Sequence, residues 1–128
     1  MSKIEWNQRD TDKLVEMILG SERRGTRKGL AIYFIPRDAN VFDDLGRRRY
    51  GFISLTPATD IRHALMLTNT KWFKDRFVKA ILNYDVDAPP ENKYVFTIRF
   101  RSGGGFESGW GETPELAICN CLLKLVEV

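Results

Sequence analysis

The length and composition of the chain describe one folded domain. Its 128 residues are 43% hydrophobic and 29% charged, which excludes the low-hydrophobicity, high-charge composition of a disordered protein. A chain of this length builds one core and has no room for a second, so we expect a single domain over residues 1–128. The formal net charge of +3 and the sequence pI of ≈ 9.0 lean towards anionic partners without naming one.

The two cysteines, Cys119 and Cys121, indicate neither a disulfide framework nor a zinc site. Two residues apart on a predicted helix, their side chains do not face each other, and no second Cys or His pair accompanies them. Free thiols fit a reducing compartment. The N-terminus carries a charge where a secretory signal needs apolar residues, and no apolar run is long enough to span a membrane. We expect a cytoplasmic protein with no membrane partner.

The first predicted helix covers residues 11–19. Asp10 or Thr11 is placed to cap it, and Gly20 is a natural stop. Leu14 and Ile18 lie one turn apart, on an apolar stripe that would face the core.

Two strands are predicted after this helix. Residues 30–35 are β-branched and aromatic and end at Pro36, and residues 50–55 are predicted to form a second strand that pairs with them. Residues 21–29 are predicted as a polar, basic connector. Residues 37–49 are predicted as a loop, with or without a short turn of helix.

The middle of the chain begins with a helix-start signal at residues 56–60, where hydroxyl side chains precede Asp60. We expect a helix from Ile61 that breaks near Asn69. Residues 71–82 leave two alternatives open. Their apolar positions recur at helical spacing, but a strand starting near Phe77 fits as well.

The C-terminal third has the clearest pattern. Residues 94–101 alternate strictly, which predicts a strand with Tyr94, Phe96, Ile98 and Phe100 on one face. The glycines that follow predict a hairpin turn to a return strand at residues 106–110. A final helix is expected to start at Pro114.

These elements predict an α+β fold of order α-β-β-α-β-β-α. Strands that meet in hairpins imply a mainly antiparallel sheet of about four strands, covered by helices in an α/β/α sandwich-like arrangement. One face of the sheet is either left partly open, or both faces are covered.

The C-terminal residues Glu112-Thr113-Pro114-Glu115-Leu116-Ala117-Ile118-Cys119, after an aromatic hairpin, resemble the phage ABA sandwich domain family of small bacteriophage and prophage proteins. Ala58-Thr59-Asp60-Ile61 is similar to the family's central helix start, with alanine replacing the usual hydroxyl. The resemblance implies a phage protein of the host bacterial cytoplasm. Residues 37–49 and 71–92 exceed the family's minimal pattern, and insertions on a fixed scaffold are where binding function usually lies.

No motif in the sequence supports catalysis, a cofactor or a metal. The single histidine, His63, has no nucleophile elbow or comparable partner pattern. The acidic pairs match no cation-binding loop, and the glycines at 103–105 lack the lysine and following helix of a phosphate-binding loop. We therefore predict that the protein is not an enzyme.

Basic and aromatic residues instead point to anion binding. Arginine has a planar fork for phosphate, and aromatic rings stack on bases. The strand that carries Arg99 and Arg101 is predicted to project both from one side. The full predicted ligand-binding set is Thr97, Arg99, Arg101, Arg47, Arg48, Arg49, Tyr50, Trp72 and His63.

Three functions fit a phage protein with these residues. The first is an anti-defence sponge, expected to be a homo-oligomer, that sequesters a cyclic nucleotide or an ADP-ribose-type immune signal. The second is nucleic-acid binding, which a net charge of only +3 disfavours. The third is inhibition of a host protein, with Trp6 or Trp72 as an exposed anchor.

Overall fold

The computed structural model of the chain describes residues 5–126, and residues 1–4 and 127–128 of the predicted domain lie outside this range. In chain order, the described helices and strands are α1 (Gln8–Leu19), β1 (Arg23–Arg27), β2 (Leu30–Ile35), β3 (Val41–Phe42), β4 (Arg48–Arg49), β5 (Gly51–Ser54), α2 (Ile61–Thr68), α3 (Lys71–Arg76), β6 (Phe77–Tyr84), β7 (Tyr94–Phe100), β8 (Phe106–Gly111) and α4 (Pro114–Val126). Within residues 5–126, every helix is too short or too polar to cross a lipid bilayer.

All strand pairs in this range are antiparallel, which confirms the α+β class. The strands are more numerous than predicted and form separate sheets. Two three-stranded sheets, of order β1-β2-β5 and β6-β7-β8, are accompanied by a separate two-stranded β3-β4 ladder. The central strands β2 and β7 bury one face and expose the other, whereas the edge strands β1 and β6 are exposed on both faces apart from Phe77.

Local capping signals position the helices. In α1, Asn7 and Asp10 form a capping box, and Gly20 ends the helix in the left-handed conformation at φ 67°. The helix therefore starts three residues before the predicted Thr11. Asp60 caps α2, Thr70 caps α3, and Thr113 accepts from the backbone of α4.

Two connector predictions need correction, and one open alternative is decided. Residues 21–29 contain β1, which pairs with β2 and is exposed along its whole length. Residues 37–49 contain the expected helical turn, at Arg37–Ala39, but also the β3-β4 hairpin. In residues 71–82 the strand alternative is right from Phe77 onward, because β6 pairs with β7. None of these strands has the alternation of a strand with one buried face.

The C-terminal elements form the tightest part of the core. Phe96 and Ile98 of β7 are buried beneath α4, as predicted from their alternation. On β8, Gly109 and Gly111 lie directly against the helix, where a Cβ at Gly109 would lie 2.1 Å from the backbone nitrogen of Cys121. Only glycine allows this approach.

Candidate functional site

Arg99 and Thr97 lie on the open face of the β6-β7-β8 sheet, as predicted. Arg99 is exposed, and its guanidinium lies 5.6 Å from the ring centroid of Phe106 on β8. The Thr97 hydroxyl is hydrogen-bonded to that of Ser108 at 2.9 Å. In register, Lys79 of β6 lies opposite Arg99. This face therefore presents two neighbouring basic residues beside an exposed aromatic ring.

Arg101 does not share this face, contrary to the prediction. The strand β7 ends at Phe100, so the alternation stops before Arg101. Its Nε and Nη2 groups donate to the carbonyl oxygen of Lys74 at 3.1 and 2.9 Å, and Nη2 also donates to that of Phe77 at 3.2 Å. Carbonyl groups at the end of α3 lack intrahelical donors, and the guanidinium supplies them.

Asp43 organises the predicted Arg47–Arg49 run. Its buried carboxylate accepts the backbone N–H and the Nε of Arg47 at 2.9 and 3.1 Å, and lies 3.7 Å from Arg49. The Arg47 backbone hydrogen bond is the largest of several contacts that lower the pKa of Asp43. Two of the three arginines thus hold the β3-β4 hairpin closed.

The third arginine, Arg48, faces the ring of Phe42. Its guanidinium carbon lies 5.9 Å from the ring centroid, and the Lys74 ammonium lies 5.7 Å from the same ring. Both distances are within the range of a cation–π contact. Because Arg101 is bonded to the Lys74 carbonyl, the hairpin, α3 and the end of β7 meet here. We call Phe42, Arg48, Lys74 and Arg101 the Phe42 cluster.

The Phe42 cluster has an excess of positive charge. Arg48, Lys74 and Arg101 are exposed, and Phe42 is half-buried. Two nearby carboxylates are already engaged, Asp43 by the hairpin arginines and Asp75 by Lys71 at 2.6 Å. Arg48 donates through Nη2 to the side-chain oxygen of Asn40, and Arg101 donates to backbone carbonyls. The remaining guanidinium N–H groups and the Lys74 ammonium lie beside an aromatic ring, which is the chemistry that binds phosphate and a base.

The other predicted ligand-binding residues have local partners. The Tyr50 ring is covered by the Arg37 guanidinium at 4.2 Å. Trp72 is half-buried against the core, with the Arg76 guanidinium 4.5 Å from its ring. Trp6 is also half-buried and donates to Thr11. Neither tryptophan is the exposed anchor expected of a protein-binding surface.

His63 has a structural contact. Its Nδ1 accepts the backbone N–H of Thr56 at 2.9 Å, which fixes the turn before α2, and Nε2 lies 3.7 Å from Asp60. Burial lowers the pKa of His63, against the opposing effect of the Asp60 carboxylate. The ring is therefore an acceptor held within the fold, and it lies outside the Phe42 cluster.

Other reactive groups in the described residues are buried or scattered. Burial raises the pKa of both thiols, that of Cys121 to about 12. Within residues 5–126, no three His, Cys, Asp or Glu side chains group closely enough to hold a metal ion.

Phe42 and Lys74 were not among the predicted ligand-binding residues. Lys74 lies in a basic-aromatic stretch whose position relative to the hairpin only the fold determines. Phe42 had a usable signal, because an acidic and glycine-containing turn at residues 43–46 predicts a hairpin that sets it opposite Arg48.

Comparison with known proteins supports the fold. No protein-family model and no curated protein matches the chain. A crystal structure of a phage protein from Bacillus cereus ATCC 14579 is similar, with a TM-score of 0.53 and 20% identity, over 100% of this chain and 94% of that one. At this identity the likeness shows a shared fold. The membership in the phage ABA sandwich family remains a prediction.

Proposed function

We propose that the protein is a non-enzymatic phage protein that binds and sequesters a phosphate-bearing signal of bacterial immunity, either a cyclic nucleotide or an ADP-ribose-type compound. The Phe42 cluster is the observation that carries this proposal. It combines exposed cations from three elements with an aromatic ring. Sequestration needs affinity alone, and no bond in the ligand has to break.

The chemistry of the cluster suits a phosphate more than a carboxylate metabolite. A guanidinium binds two phosphate oxygens at once, and an ammonium adds a point charge. Arg48 and Lys74 approach Phe42 at similar distances, so a phosphate can bridge the two cations while a base stacks on the half-buried Phe42 ring. Asp43 does not cancel this charge, because Arg47 and Arg49 already pair with it.

A non-enzymatic role is supported by the state of the usual catalytic groups. His63 is occupied by the Thr56 backbone, and burial raises the pKa of the thiols of Cys119 and Cys121. A nucleophile needs an accessible thiolate or a base that can accept its proton. Neither is present at the Phe42 cluster.

The test is a thermal-shift screen of the purified chain against cyclic dinucleotides, cyclic trinucleotides and ADP-ribose isomers, with inorganic phosphate as reference. We expect saturable stabilisation by one compound, since a ligand that binds only the folded state raises its stability. Mass spectrometry after denaturation should recover that compound unchanged. A chemically altered product would refute sequestration, and no shift with any compound would refute the proposed ligand class.

Matched variants locate the binding site. Arg48→Gln with Lys74→Gln should weaken binding by about tenfold or more, since each charged hydrogen bond contributes roughly 1.5–3 kcal/mol. Arg27→Gln on the exposed strand β1 removes a surface cation elsewhere and should leave affinity unchanged. If Arg99→Gln alone abolishes binding, the open face of the β6-β7-β8 sheet is the site and the Phe42 cluster is not.

Nucleic-acid binding is the second candidate, favoured by β1 and its turn. Arg23, Arg24, Arg27 and Lys28 are all exposed there. This function predicts affinity for DNA or RNA that falls steeply with salt, because phosphate contacts release counterions. A gel-shift titration at low salt that shows no complex would exclude it.

A further inference from the structure

The strand β6 is open on both faces and along its outer edge. From Val78 to its end every residue of the strand is exposed, and its large apolar side chains are 40% to 56% exposed, namely Val78, Ile81, Leu82 and Tyr84. In residues 5–126 we find no side chain that donates a hydrogen bond to the backbone of residues 78–84. An edge strand of this kind leaves N–H and C=O groups available for another strand.

The opposite edge of the same sheet is protected. Lys124 of α4 donates to the Ser108 carbonyl oxygen at 2.6 Å, and Asn120 donates to that of Trp110 at 2.7 Å. Side chains of one helix therefore cap the carbonyl groups along β8. Natural proteins protect edges in this way or with charges, prolines and bulges.

The sequence of β6 carries little of that protection. It contains no proline, and its one charged residue is Lys79. The bulge against β7 lies at its start, between Phe77 and Lys79, and residues 79–84 keep a regular register. A regular stretch of six residues with a single charged side chain is thus left for pairing.

We propose that β6 pairs with β6 of a second copy of this chain, antiparallel and about a two-fold axis perpendicular to the sheet. Such an axis keeps the same face of both sheets on the same side. At the centre of the pair, one residue of β6 therefore lies opposite its own copy. When the pair is centred on Ala80, Ile81 lies opposite the partner's Lys79. When the pair is centred on Ile81, this residue lies opposite the partner's Ile81. Either register forms about six backbone hydrogen bonds and one continuous six-stranded sheet.

Charge selects a second copy over an unrelated strand. The segment before β6, α3, has three basic residues and one acidic one. The loop after β6, residues 85–93, has three acidic residues and one basic residue, Lys93. Antiparallel pairing brings the basic start of each strand beside the acidic loop of the other, and such complementarity fixes orientation and partner. Parallel pairing would bring like charges together.

Light scattering after gel filtration, over a dilution series, tests this interface. We expect a mass twice the 14.8 kDa of the chain. Ile81→Lys should weaken dimerisation by about tenfold or more, because in either register it lies opposite another lysine. Phe52→Lys, on the open face of the other sheet, is the matched control and should dimerise normally. A native monomer at all concentrations, or a dimer that survives Ile81→Lys, would overturn the proposal.

A charge exchange separates this interface from a folding defect. Arg76→Glu and Asp87→Lys should each weaken their own homodimer, since each places like charges together. Mixed in equal amounts, they should form a heterodimer with both contacts restored, detectable by native mass spectrometry. Circular dichroism of each variant confirms that it is folded. Failure of the mixture to prefer the heterodimer would refute the antiparallel arrangement, whatever the outcome of the nucleotide screen.

Discussion

Lys124 and Asn120 cap the carbonyl oxygens along the β8 edge of the β6-β7-β8 sheet, whereas β6, at the other edge, is exposed from Val78 onward. The two edges belong to one sheet and share the central strand β7. Their difference therefore does not come from the sheet. It comes from α4, which reaches over β8 and stops short of β6. One edge is closed by the fold, and the other is available to a partner.

The largest expected effect concerns the closed edge. In Gly109→Ala the new Cβ would lie 2.1 Å from the Cys121 backbone nitrogen, so α4 must shift away from β8. We expect the free energy of unfolding to fall by about 3 kcal/mol, measured by urea denaturation.

Gly105→Ala is the matched control for this substitution. Its Cβ would meet only the ring of Phe100, at 3.8 Å, which is ordinary contact. Its effect should stay within about 0.5 kcal/mol. Equal losses in the free energy of unfolding of the two variants would show that α4 does not pack against β8 as closely as described above.

The second prediction opens the closed edge. Asn120→Ala with Lys124→Ala removes both carbonyl caps, and we expect a loss of about 1–2 kcal/mol in the free energy of unfolding. The double variant should also form species larger than a dimer in light scattering, because both edges can then pair.

Lys93→Ala provides the comparison for that variant. Lys93 also donates to a carbonyl oxygen, that of Val86, but in a loop. The Lys93→Ala variant should therefore lose some stability but form no oligomer larger than the native protein forms. If the edge variant behaves in the same way, the caps stabilise the fold but do not block association.

The smallest expected effect is a dependence of folding stability on pH that comes from His63. Burial lowers the pKa of His63, so the unfolded chain binds its proton more tightly. Stability is then complete above the ordinary pKa of about 6.5 and declines as the pH falls below it, by up to about 1 kcal/mol at pH 5.5. His63→Gln should abolish this decline in denaturant titrations, and a decline that persists would assign it to other groups.

Local signals in the sequence were sufficient for the end of α1, the starts of α2 and α4, and the C-terminal hairpin. Gly20, Asp60 and Thr113 act through neighbours within four residues, so one chain segment contains the whole cause. The alternation of β7 was equally clear because α4 covers one face of it. These features establish the fold class without knowledge of distant contacts.

The two edges and the Phe42 cluster depend on distant contacts. The strand β6 has no buried face over most of its length, so no alternation marks it, and only its pairing with β7 decides between helix and strand. Lys74 meets Phe42 and Arg101 from other parts of the chain. The prediction that Arg99 and Arg101 project from one side was wrong, because β7 ends at Phe100, one residue before Arg101.

The exposure of β6 also determines how fast its amide hydrogens exchange with deuterium. In an antiparallel edge strand, alternate N–H groups point to the neighbour and to solvent. Exchange along residues 79–84 of an isolated chain should therefore alternate between slow and fast positions, while the buried interior of α4 stays slow throughout. Association through this edge would slow exchange at the fast positions and remove the alternation. The exchange rates would then show which residues of β6 pair with the partner strand.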